Sequence, residues 1–99
     1  MHQIHVLDEE QQFRMSEFFK AFADSTRIKI LCLLFEEAHC VGDIALDIGI
    51  SQSAISHQLK LLKQMNLVKC SRAGKTVYYM LADEHVKTII YMAKEHLEE

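Results

Sequence analysis

Proline is absent from this chain and glycine appears only three times in 99 residues, so few positions break a helix and the chain reads as mainly α. No apolar run approaches the ~18 residues of a membrane span, and the N-terminal residues lack the charged-then-apolar build of a signal peptide. The protein is therefore expected to be soluble and cytoplasmic, with no membrane partner. Cysteine is scarce and odd in number. Cys32, Cys40 and Cys70 have no paired spacing, which argues against a disulfide framework and predicts free thiols in a reducing compartment. The length suits a single domain over residues 1–99, with one modest core.

Negative charge is missing from one long stretch. The net charge is −3, yet no acidic residue lies between Asp47 and Asp83, while Lys60, Lys63, Lys69, Arg72 and Lys75 all do. A cationic module between acidic ends is the electrostatic footprint of a DNA-reading segment, because affinity for a phosphate backbone depends on the charges that reach it.

Periodicity supplies the elements. Met15, Phe18, Phe19 and Phe22 recur at helical spacing and predict a first amphipathic helix over residues 8–22. Asp24 is a good cap for a second helix whose apolar run from Ile28 to Leu34 ends near Glu36. Cys32 falls in that run as a small core residue. Two short helices follow, Val41 to Ile48 and Gln52 to Gln64, around the turn Gly49-Ile50-Ser51. Here Gly49 can take the left-handed conformation, Ile50 can plug the angle between the helices and Ser51 can cap the second. Ile55, Leu59 and Leu62 anchor that second helix, and its opposite stripe is Ser53, Ser56, His57, Lys60 and Lys63, with Gln52 at the tip. Short polar side chains near the helix start suit base edges in a major groove, and the lysines suit phosphates. Leu67 to Cys70 and Thr76 to Leu81 read as strands joined through Ala73-Gly74, a hairpin wing with Arg72 and Lys75 near its tip to reach phosphate or an adjacent minor groove. The expected fold is a winged helix-turn-helix of five helices and a two-stranded hairpin, α+β in class.

The tail carries metal-type ligands. Asp83, His85, His96 and Glu99 share one segment, and at 100° per residue His85, His96 and Glu99 fall within about 60° of arc. The step from His85 to His96 climbs about 16 Å, far beyond one coordination sphere. One helix cannot close the site, but two copies packed antiparallel can, so the motif predicts a homodimer. Asp83 can ligate only from a non-helical cap position. Val86, Ile90, Ala93 and Leu97 form an apolar arc beside Ile89 and Met92, leaving Lys87, Lys94 and Glu98 facing water. That arc is broader than one core contact needs and implies a second surface to cover it. Two imidazoles and two carboxylates suit tetrahedral Zn²⁺, with Co²⁺ nearly as good, and leave no position for a reactive water.

Taken together, these residues resemble the ArsR/SmtB family of winged-helix, metal-sensing transcriptional repressors. The segment Phe19-Lys20-Ala21-Phe22-Ala23-Asp24-Ser25-Thr26-Arg27-Ile28 is similar to the family's early signature, and Ser51-Gln52-Ser53-Ala54-Ile55-Ser56-His57-Gln58-Leu59-Lys60 to its recognition helix. The tail resembles the intersubunit site of the branch that senses zinc and cobalt. Soft-metal sensors of the family carry Cys-x-Cys at the start of the helix before the turn. Here Cys40 matches the first cysteine and Gly42 stands at the second, a departure from a thiolate-rich site. Cys40 and Asp43 with His2 or His5 of a partner would make an auxiliary zinc site.

The resemblance implies an apo dimer bound to operator double-stranded DNA and released on zinc or cobalt binding, with an efflux or sequestration gene as target. Two rivals stand beside it. One is a repressor switched through a thiol such as Cys40, its metal site purely structural; the other is a metal-buffering or protein-interaction module with no operator. An enzyme is not expected, since Ser53, Ser56 and His57 share an exposed face with no orienting acid or pocket, leaving no catalytic residues.

Overall fold

The computed structural model describes residues 7–99, a bundle of five helices against a small antiparallel sheet. Helix α1 (Glu9–Lys20) starts in a capping box: the Gln11 amide donates to Asp8 Oδ1 at 2.8 Å and the Asp8 amide donates to Gln11 Oε1 at 3.1 Å. It ends at Lys20 rather than at residue 22, because the amides of Ala21, Phe22 and Ala23 donate to carbonyls only three residues back. Phe18 and Phe22 pack on the core and meet edge to face at 5.3 Å. Met15 and Phe19 instead stand exposed, together with Phe13.

Helix α2 (Ser25–Glu36) is capped by Asp24, whose Oδ2 accepts from the Arg27 amide at 3.0 Å, and buries Ile30, Leu31 and Leu34. Cys32 is exposed, not in the core. The next element is one that composition did not reveal: strand β1 (His39–Cys40) pairs antiparallel with β3, His39 opposite Tyr79 and Cys40 opposite Tyr78. The wing is therefore part of a three-stranded sheet ordered β1-β3-β2, not an isolated two-stranded hairpin. Two residues are too few to carry an alternation pattern, which is why the strand is silent in the sequence.

Helix α3 (Val41–Ile48) ends at Gly49, whose φ of +85° lets its amide return to the Ala45 carbonyl at 2.8 Å. Ile50 does not plug the inter-helix angle: it is exposed, its amide also directed at the Ala45 carbonyl. Helix α4 (Gln52–Gln64) is capped by Ser51 Oγ and buries Ile55, Leu59 and Leu62. Asn66, at φ +61°, closes that helix, with the Leu67 amide reaching back to the Leu62 carbonyl at 2.9 Å. Strands β2 (Val68–Ala73) and β3 (Thr76–Leu81) run in register from Val68 opposite Leu81 to Ala73 opposite Thr76, so β2 extends three residues beyond its expected end at Cys70. Gly74, at φ +64°, makes the two-residue turn.

Helix α5 (Glu84–Leu97) packs on the core through Val86 and, more loosely, Ile90. From Tyr91 onward every residue is exposed. Lys87 does not face water freely but is half-buried, its Nζ 5.4 Å from the centre of the Phe35 ring. Among the described residues no buried side chain is polar or charged, so the core is held by apolar packing alone.

Candidate nucleic-acid interface and metal half-sites

Burial of Ile55, Leu59 and Leu62 fixes the rotation of α4 and turns the other stripe outward. Gln52, Ser53, Ser56, His57, Lys60 and Lys63 are all exposed. Arg72 and Lys75 are likewise exposed at the wing tip, at the end of β2 and in the turn. The expected reading surface is therefore solvent-facing at every position. One lysine is engaged: Lys63 Nζ lies 3.2 Å from Cys70 Sγ and ties the end of α4 to β2. Cys70 thus has a cationic neighbour that its local sequence does not reveal.

The sequence reading also missed the contact that braces this helix. Arg27 Nε donates to Gln58 Oε1 at 2.9 Å, a half-buried bond between residues 31 apart that joins the start of α2 to the middle of α4. No periodicity signals such a pair. Its effect is to resist rotation of α4 about its own axis, which would carry the outward stripe away from a ligand.

At the other end of the molecule the backbone of Asp83 is extended (φ −163°, ψ −178°), as ligation from a cap position requires. Its two oxygens divide their roles. Oδ1 accepts from the Val86 amide at 3.1 Å, and Oδ2 faces His85 Nδ1 at 3.7 Å. That separation is too long for a hydrogen bond, and two donors on one tetrahedral ion stand roughly 3.4 Å apart. Asp83 and His85, both exposed, thus fit half of a metal site with little adjustment.

His96 lies in the last turn of α5 and Glu99 just beyond it, the Glu99 amide donating to the His96 carbonyl at 3.3 Å. Nearby, the Glu98 carboxylate accepts from Lys94 at 3.1 Å and raises that lysine's pKa above its ordinary value. Among the described residues no three metal-type ligands converge within one chain. Cys40 is half-buried in β1, Asp43 is exposed in the first turn of α3, and His2 and His5 lie outside the described residues.

The sequence of residues 24–69 matches the family of bacterial regulatory proteins named for ArsR. Over 93 residues the chain is 44% identical to a transcriptional repressor SmtB homolog from Synechocystis, covering 94% of this chain and 69% of that protein. The chain belongs to the ArsR family. Another relative, the cadmium resistance transcriptional regulatory protein CadC homolog of Staphylococcus aureus, is 40% identical over 94% of this chain and 78% of its own. In structure, this ArsR-family chain is similar to a homodimeric winged helix-turn-helix DNA-binding domain from Mycobacterium bovis, with a TM-score of 0.86 and 27% identity over 100% of this chain and 92% of that one. The fold is accordingly a winged helix-turn-helix. The family match runs from the cap of α2 to the start of β2 and stops short of α5, so it covers the helix-turn-helix and not the candidate tail ligands. Among the described residues no helix is long and apolar enough to cross a membrane.

Proposed function

We propose that this ArsR-family regulator is a metal-responsive transcriptional repressor: a homodimer that binds operator DNA without metal and lets go when Zn²⁺, or Co²⁺, binds between its subunits. The observation that carries the reading is the split ligand set of α5. Asp83 and His85 meet at one end, His96 and Glu99 stand about 16 Å away along the same helix, and one described chain holds no complete site. Antiparallel copies of α5 would supply two nitrogens and two oxygens at each end. The names of the Synechocystis and Staphylococcus aureus relatives support repression and a metal signal, and the Mycobacterium bovis domain supports a dimer.

The work of each residue follows from its place. Gln52, Ser53, Ser56 and His57 meet base edges, while Lys60, Lys63, Arg72 and Lys75 meet phosphates. Bound metal supplies a crosslink between the two α5 helices, and so biases the spacing at which two α4 helices can enter successive major grooves. Linkage then requires DNA to weaken metal binding by the factor by which metal weakens DNA binding, typically a coupling of ~1–3 kcal/mol.

The test is a fluorescence-anisotropy titration onto an inverted-repeat duplex from upstream of the protein's own gene, with chelator and then with stoichiometric zinc. Tight binding lost on adding zinc, and zinc-insensitive binding by His85→Ala and His96→Ala, are the expected results. Release by zinc that persists in both variants would refute the site. A thiol switch at Cys40 would instead give oxidant-driven release that survives chelation.

A further inference from the structure

The outer surface of α3 carries an apolar feature that neither the core nor the polar reading stripe explains. Leu46 is 84% exposed and Ile50 38% exposed. Both border an open depression between α3 and the start of α4, lined also by Gly42, Ala45, Gly49, Ser51 and Gln52. A Cβ added at Gly49 would meet nothing within 4 Å, and one at Gly42 would come within 3.7 Å of Gln52 Nε2. The depression therefore runs directly into the first residue of α4.

One exposed leucine is ordinary. Two apolar side chains four residues apart, bordering a depression that Gln52 at the start of α4 also lines, make a receptor for something small and apolar. Charge narrows the occupant. At 100° per residue, Asp43 and Asp47 fall on one side of Leu46 and Gly42 on the other, and both aspartates are exposed, which disfavours a phosphate against this wall. The apolar group that B-DNA presents in its major groove is the C5-methyl of thymine.

We propose that the Leu46/Ile50 depression receives a thymine methyl group in each operator half-site, beside the base edge read by Gln52, and so adds sequence preference from α3 as well as from α4. The inference rests on the DNA-binding reading above. Its test uses the full-length metal-free protein and the inverted-repeat duplex, with thymines replaced one at a time by deoxyuridine, which lacks only that methyl group. Burial of one methyl predicts a loss of about threefold to fourfold at one thymine position per half-site. Leu46→Ala and Ile50→Ala, made singly, should bind the unmodified duplex more weakly and become indifferent to the same replacement. Leu46 lies outside the core, so Leu46→Ala should keep the wild-type melting temperature. A penalty of equal size in wild type and both variants, or a scan with no sensitive thymine, overturns the inference while leaving the repressor reading intact. Absence of any salt-sensitive duplex binding overturns both.

Discussion

Asp83 caps α5 through one carboxylate oxygen and in the proposed site would bind metal through the other, and substitution can separate the two. Asparagine is as good a helix cap as aspartate but is neutral, so Asp83→Asn should leave stability to urea within a few tenths of a kcal/mol while weakening zinc binding. Asp83→Ala should weaken zinc equally and also cost about 1 kcal/mol of stability. Equal zinc affinity in the two variants and the wild type would reduce Asp83 to its capping role. The cap itself was legible, because an aspartate before an apolar-periodic run is a start signal. The split of its two oxygens was not, since it depends on the backbone turning out of the helix at one residue. Cys32 and Ile50 show the opposite failure. Both sit in apolar surroundings in the sequence, yet both are exposed, because α2 buries Ile30, Leu31 and Leu34 and packs Leu33 and Phe35 partly on the core while Cys32 faces out, and the turn leaves its middle residue outside.

Among the elements, α3, α4, β3 and the start of α5 stand where capping and periodicity put them, since each begins at a side-chain cap, a strand or a turn residue with a physical reason to be there. Apart from the early end of α1, the departures are matters of pairing. Strand β1 exists only because β3 is beside it, and β2 runs to Ala73 because β3 offers partners to Thr76. The same holds for the Arg27–Gln58 brace, which joins elements that no local pattern connects. The division of labour between α4 and the wing is open to a salt experiment. Lys60→Met and Arg72→Met should each lower the slope of log affinity against log salt by about 0.9. Ser56→Ala should lower affinity with the slope unchanged, as fits a residue that meets bases rather than phosphates.

At the scale of the whole molecule, most of the exposed large apolar residues among the described ones lie on the first and last helices: Phe13, Met15 and Phe19 on α1, and Tyr91, Met92 and Leu97 on α5. A partner copy packed antiparallel on this surface would set the Asp83/His85 end of one α5 against the His96/Glu99 end of the other and hold two reading heads at fixed separation. Sedimentation equilibrium should therefore report a dimer. Met92→Glu should shift it toward monomer and lower zinc and operator affinity together, whereas Lys60→Met should lower only the latter. Zinc affinity retained in a monomeric Met92→Glu variant would rule out a site shared between subunits. In the sequence His85, His96 and Glu99 stand out as candidate ligands because their spacing puts them on one helical face. Their incompleteness within one chain was legible as well, since rise per residue alone separates the two pairs.

The bond from the Val86 amide to Asp83 Oδ1 gives this arrangement a built-in clock. An amide in the first turn of a helix has no carbonyl four residues back to protect it, so its exchange with deuterium depends on the capping carboxylate. Any ion that holds Asp83 in place through Oδ2 steadies that carboxylate and should slow the exchange of this one hydrogen, leaving deeper amides of α5 unchanged. Occupancy of a site built by two molecules would thus be readable from a single N–H in each.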